Sequence, residues 1–206
     1  MSVVERLYKN DILRPNSVAG HCIHISSRDM DILAESGTTV VHNPESNMGN
    51  AVGAPDVISL LDKGVRVGLG TDGYTHDILE SLKVANILQK HSRGLPDRGF
   101  VEALACFENN AAIASDIVGE EVGVLKENAL ADIILMDYKP NTPVTADNFG
   151  GHMMFGMNGA MVNTTIINGR LVMKNRVLID VDEDALLNEC IKSAQSLWNS
   201  LERDSL

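Results

Sequence analysis

Short apolar runs alternate with amphipathic stretches through the first 119 residues. "SVAGHCIHI" (17–25), the β-branched "TTVVHN" (38–43) and "VRVGLGT" (65–71) read as strands. A helical pattern follows each one. In "SSRDMDILAESG" (26–37), Ser26 or Ser27 caps the helix, Met30, Ile32 and Leu33 face inward, and Gly37 stops it. A Pro-, Asn- and Gly-rich loop, "NPESNMGNAVGAP" (43–55), leads to a helix over "DVISLLDKG" (56–64). "DILESLKVANILQKHSRG" (77–94) carries an apolar stripe of Ile78, Leu82, Ala85, Ile87 and Leu88. Another helix covers about 99–117, with Gly119 just beyond it, and residues 2–14 look like the tail of one more.

Strands alternating with helices imply parallel pairing through right-handed crossovers. The units recur at roughly the 30-residue spacing of a (β/α)8 barrel. A barrel needs eight units and this chain supplies three, at 17–21, 38–42 and 65–71. An opened barrel exposes strand edges, so association or poor solubility is expected of these residues alone. After Gly119 the texture changes. "GVLKENALADIILMD" (123–137) ends in a strand, and "TTIINGRLVMKNRVLID" (164–180) holds two or three, with Asn168-Gly169 as a type I′ hairpin turn. Residues 182–204 form a helix with Leu187, Cys190, Ile191, Ala194, Leu197, Trp198 and Leu201 on one face, expected to pack.

Composition narrows the partners. A hydrophobic share of 44% with 22% charged residues is that of an ordinary globular protein. A formal charge of -11 argues against nucleic acid and anionic membranes. No apolar run approaches the roughly 18 residues that span a bilayer, and residues 1–15 lack the pattern of a signal peptide. The three cysteines, Cys22, Cys106 and Cys190, are far apart and form no CxxC pair. They point to a reducing, cytoplasmic setting.

Candidate chemistry sits where strands end. In a strand-then-helix barrel the side chains at the carboxyl ends of the strands line the active-site mouth. His21, His42-Asn43 and Asp72 fall at that register. A carboxylate closing an apolar strand should be desolvated and needs compensation. Asp72 suits a metal ligand or a general base, and equally a capping aspartate in a tight turn. Alternation puts His21 on one face and Cys22 and His24 on the other, which makes a poor two-histidine metal clamp. Taken singly, His21 and His42 also fit structural histidines, and Asn47 fits a loop asparagine. His76, His91 and His152 have no supporting pattern.

Taken in order, "GHCIHIS", "VVHNPESNMGNAVGAPDVISLLDKGV" and "VGLGTDG" resemble the closing strands of the amidohydrolase superfamily. The branch it resembles is that of the cytosine, guanine and S-adenosylhomocysteine deaminases and the chlorohydrolases. "TPVTADNFGGHMMFGMNGAMVNTTIINGRLVMKNR" is similar to the SsnA-type aminohydrolases. The resemblance implies an α/β fold: the C-terminal part of a (β/α)8 barrel over 1–119, part of a small β-sandwich over 120–181, and a C-terminal helix over 182–206. It implies that Asp72 binds a divalent metal, zinc or alternatively iron, and takes the proton of the attacking water. His21 would sit beside that water and the substrate, and Ser46 and Asn47, on the seventh-strand loop "ESN" (45–47), would contact the substrate.

The departures are equally specific. The family's metal cage needs an HxH pair on the first strand and a histidine on the fifth. The only close pair here, His21 and His24, belongs to the sixth. Three readings follow from the resemblance. One is a metal-dependent hydrolase of non-peptide C–N bonds, present as a C-terminal segment that is inactive without the missing N-terminal half. Another is a catalytically silent, complementing chain. The third is a chlorohydrolase reaction on the same scaffold. "YTH" (74–76) departs from the family's pattern and leaves the small-molecule substrate open, as the homo-oligomeric state is.

Overall fold

The computed structural model describes residues 1–204, so the last two positions of the helix expected over 182–206 lie outside the described residues. These form two compact units, one of Met1–Leu130 with Asp137–Met161, the other of Ala131–Met136 with the residues from Val162 onward. The sheet domain expected over 120–181 thus draws its strands from both ends of that span, while 137–161 groups with the first unit.

The first unit opens with α1 (Val3–Lys9), held by a capping box between Ser2 and Glu5. β1 (Val18–Gly20) follows, then α2 (Ser27–Ser36), which Ser26 and Asp29 cap reciprocally and Gly37 ends in the left-handed conformation. Met30, Ile32 and Leu33 are buried, as the periodicity requires. β2 (Thr39–His42) leads into α3 (Pro44–Gly49). The loop expected over 43–55 therefore contains a short helix. Pro44 occupies its first turn, where the missing N–H costs nothing. α4 (Val57–Asp62), capped by Asp56, precedes β3 (Val67–Leu69). Next come α5 (Ile78–Arg93), capped by Asp77, and α6 (Phe100–Val118). On α5 the buried face is offset from the expected stripe: Ile87 is 54% exposed, and Ser81, Asn86 and Gln89 are buried with Leu82 and Ala85.

β1, β2 and β3 form one parallel sheet in sequence order, with Val18 opposite Thr39 and Val40 opposite Val67. Val40 and Val67 are fully buried beneath the helices. The strands are shorter than the apolar runs because His21, Cys22 and Asp72 all turn to positive φ, which breaks the pleat at the mouth end. The alternation that assigned faces to Cys22 and His24 therefore does not apply beyond Gly20.

The β3 edge is not left open. Asn110 on α6 donates from Nδ2 to the Leu69 carbonyl and accepts from the Leu69 N–H, both at 2.9 Å. Asn109 donates to the Val67 carbonyl at 2.9 Å. Gly68 permits this approach, since a Cβ there would lie 2.7 Å from Ile113 Cδ1. The exposed edges expected of an opened barrel are thus reduced to one, at β1, where Val18 is 52% exposed. The unit closes with α7 (Phe149–Gly156), a helix its glycine-rich sequence does not advertise. Met154 is fully buried, and Phe155 stacks on Phe100 with centroids 6.0 Å apart.

In the second unit β4 (Ile133–Met136), β5 (Val162–Ile167), β6 (Arg170–Lys174) and β7 (Val177–Leu178) make an antiparallel sheet in that order. Asn168 and Gly169 both have positive φ, as a type I′ turn demands. Asn175 and Arg176 repeat the arrangement between β6 and β7, a second turn that lacks the glycine signal. α8 (Glu183–Asp204) ends the described chain. Its Leu187, Ile191, Leu197 and Trp198 are 57–66% exposed, which corrects the expectation that this face packs.

Candidate functional site

Three side chains meet at the carboxyl ends of the parallel strands. His21 follows β1 directly, its backbone N–H donating to the Val41 carbonyl at 2.9 Å. Asp72 follows β3 by way of Gly70 and Thr71, and Asn47 projects from α3. His21 Nδ1 lies 2.7 Å from Asn47 Oδ1, and His21 Nε2 lies 3.5 Å from Asp72 Oδ2. The Gly73 N–H donates to Asp72 Oδ1 at 2.7 Å. The Ser46 hydroxyl and the Gly73 amide, with the His21 imidazole beyond them, hold the Asp72 carboxyl below the usual carboxylate range. A cavity of about 580 Å³ is bounded by His21, Ser46, Asn47 and Asp72, with Ile23, Asn50 and Val52 completing the wall.

One expectation changes. Asp72 is not desolvated: its side chain is 42% exposed, and that of His21 is 41% exposed. Asn47, expected to contact substrate, lines the cavity from a fully buried position, with its Oδ1 2.7 Å from His21 Nδ1. Its neighbour Glu45 turns away to accept from Ser81 Oγ on α5 at 3.0 Å. Burial pushes that carboxyl above the ordinary glutamate value.

His42 is the residue whose environment the sequence hides. It is fully buried, and neither ring nitrogen has a hydrogen-bond partner among the described residues. Burial, reinforced by the charge of His21, lowers its pKa to about 4. His24 is exposed and takes no part in the cavity wall. His152 lies elsewhere, with its Nδ1 2.6 Å from the Tyr138 hydroxyl. Tyr74, in the stretch that departs from the resemblance, lays its phenol against Gly49 at the end of α3, where any Cβ would collide with it. The three cysteines are free, and burial raises Cys22 to about 11 and Cys106 to about 12.

As donors for a cation, these residues offer one carboxylate and one imidazole. Among the described residues no group of three or more His, Cys, Asp or Glu side chains could hold a metal. Asp72 fits as one ligand of a shared cage and not as a cage by itself. No helix among the described residues is long and apolar enough to cross a membrane.

Comparison with known proteins places this geometry. The Amidohydrolase family profile matches residues 1–172. The chain is 35% identical over 192 residues to a 5-methylthioadenosine/S-adenosylhomocysteine deaminase of Desulforudis audaxviator, covering 89% of this chain and 44% of that protein. It is 35% identical over 191 residues to a 5'-deoxyadenosine deaminase of Methanosarcina mazei, covering 89% and 43%. Among solved structures, an adenosine deaminase from Xanthomonas campestris with bound zinc superposes with a TM-score of 0.77 at 20% identity, over 95% of this chain and 46% of that one. An atrazine chlorohydrolase from Arthrobacter aurescens complexed with zinc gives 0.67 at 17% identity, over 92% and 43%. The chain spans less than half the length of these relatives, and its three parallel strand–helix units are the corresponding piece of a (β/α)8 barrel. It belongs to the amidohydrolase family.

Proposed function

We propose that these residues are the C-terminal part of a metal-dependent aminohydrolase that deaminates a nitrogen heterocycle, with an adenosine-type nucleoside as the substrate class. The observation that carries this reading is the meeting of Asp72 and His21, from separate strand ends, at one cavity with Asn47 behind them. Asp72 would be this chain's ligand to a divalent ion, zinc first and iron as the alternative, with the remaining ligands supplied by the N-terminal half. When bound, such an ion acidifies the attacking water. Asp72 accepts a proton as water adds to the amino-bearing ring carbon and returns it to the departing amine, so ammonia leaves and a carbonyl remains. His21 orients the water and the ring, and Ser46 steadies the Asp72 carboxylate. The separation of Cys22, Cys106 and Cys190, with no CxxC pair, supports a cytoplasmic setting.

A chimera tests the proposal. This chain replaces the matching segment of the Desulforudis audaxviator relative, and zinc content and ammonia release from 5'-deoxyadenosine and S-adenosylhomocysteine are measured. The chimera should bind zinc and release ammonia, while the 206-residue chain alone does neither. Asp72→Asn should lower turnover at least about 10²-fold, and His24→Asn should leave it unchanged. A folded, zinc-loaded chimera silent on amino-purines would sink the deaminase reading. Chloride release from a chloro-triazine by that chimera would favour the chlorohydrolase reaction.

A further inference from the structure

We propose that Ile23 and Val52 are specificity-determining residues, an apolar clamp for a flat face of the substrate's heterocycle. The identity of the ring rests on the deaminase reading, and the place of the clamp rests on the cavity wall alone.

That cavity, of about 580 Å³, is two-sided: Ile23 and Val52 are its only aliphatic lining, and its other lining residues are polar. Its volume is that of a small-molecule site, about 300–1,000 Å³. Both side chains are open to it, Val52 being 43% exposed and Ile23 half-buried.

Backbone strain singles out the same two residues. Ten non-glycine residues among those described have positive φ. Asn, Asp and His enter that region readily, which accounts for seven of them and leaves Cys22, Ala51 and Arg176. Arg176 belongs to the turn between β6 and β7. Cys22, at φ 48, directly precedes Ile23, and Ala51, at φ 53, directly precedes Val52. Left-handed backbone at a residue with a Cβ costs free energy, and such strain gathers at functional sites. Ala51 ends α3 in a Schellman motif, its N–H donating to the Met48 carbonyl at 3.0 Å and that of Val52 to the Asn47 carbonyl at 3.2 Å. A residue in Val52's place ordinarily covers an apolar one in Asn47's place. Asn47 is polar, so Val52 is left to the cavity. The two turns also meet, since Ile23 Cγ2 lies 3.3 Å from the position a Cβ on Gly53 would take.

A nitrogen heterocycle has hydrogen-bonding edges and apolar faces. Its amino-bearing carbon must meet Asp72 and His21, which turns a face toward the aliphatic wall that begins two residues beyond His21. A ribose does not suit that wall, because its hydroxyls would lose water there without gaining partners.

The test uses the 206-residue chain, methyl-labelled at isoleucine and valine, in chelator. Methyl spectra are recorded as 5'-deoxyadenosine, purine or ribose is added up to its solubility limit, and Ile23→Ala and Val52→Ala identify the two sets of resonances. Both sets should shift upfield, under the ring current, with 5'-deoxyadenosine and with purine but not with ribose, while Val40 and Val67 stay in place. Each variant should weaken 5'-deoxyadenosine binding about 10-fold, as loss of carbons from an apolar pocket wall does. A silent wild-type spectrum overturns the proposal, as does an equal response to ribose or an unchanged affinity in both variants. If either variant fails to fold, Ile23→Val and Val52→Ile supply the assignments and the wild-type shifts decide. Purine-induced shifts at these methyls beside a chimera that releases no ammonia would fault the deaminase reading and leave the clamp standing. Ammonia release with an unchanged KM in a chimera carrying both alanines would overturn the clamp alone.

Discussion

The two sheets of this chain solve the same problem unequally. The parallel sheet buries Val40 and Val67 completely and has one edge sealed by asparagine amides. The antiparallel sheet leaves Ile134 52% and Leu135 54% exposed, and α8 in the same unit presents a row of bare apolar side chains. The first unit carries its own core and the polar constellation at its mouth. The second has secondary structure but little interior: β5, β6 and β7 pair through short hairpins, and Thr164 is the one residue buried among its described residues. The second unit therefore has the smaller interior of the two, although the first also leaves Val101, Ile117 and Leu125 exposed.

Substitutions should widen that contrast. Leu82→Ala, at a fully buried position on α5, should cost about 2–5 kcal/mol in urea denaturation. Ile134→Thr, on the exposed sheet, should stay within about 0.5 kcal/mol. Equal costs would mean that the second unit has a core of its own.

Acid should weaken the first unit through His42. In the unfolded chain this ring takes up a proton near 6.5, whereas in the fold it stays neutral until about 4. Between those values the unfolded state holds the extra proton, so stability is full above 6.5 and falls as pH drops toward 4. The loss amounts to about 3 kcal/mol, and His42→Leu should abolish that part of the pH dependence. Denaturation midpoints across the range check this, and an identical slope in the variant would refute it.

A further loss concerns the sealed edge. Asn110→Ala strands the Leu69 N–H and carbonyl and should cost about 1–3 kcal/mol. It should also increase association in sedimentation velocity, since the first unit would then have two free edges. Unchanged sedimentation would mean that the amides hold α6 without guarding the strand.

The three parallel strands were legible because β-branched runs lie between clear stop signals, and Gly37, Gly94 and Gly119 end helices where expected. The approach of Asp72 to His21 followed from their place at strand ends. What escaped the sequence depends on contacts between distant residues. The left-handed turn at His21 and Cys22 uses residues with no glycine signal. α3 hides in a turn-like composition, and α7 forms around a buried Met154 despite its glycines. Periodicity gave α5 an apolar stripe, yet Ser81, Asn86 and Gln89 share the buried face. No pattern marks His42 as buried without partners, because its isolation is a property of the fold around it.

The sealed β3 edge also gives the parallel sheet a valence. A sheet with two free rims can bind a strand on each side and propagate into a fibre. This one accepts a strand only beside Val18, and two such sheets joined rim to rim would leave no open rim. Growth through this sheet would therefore stop at a pair.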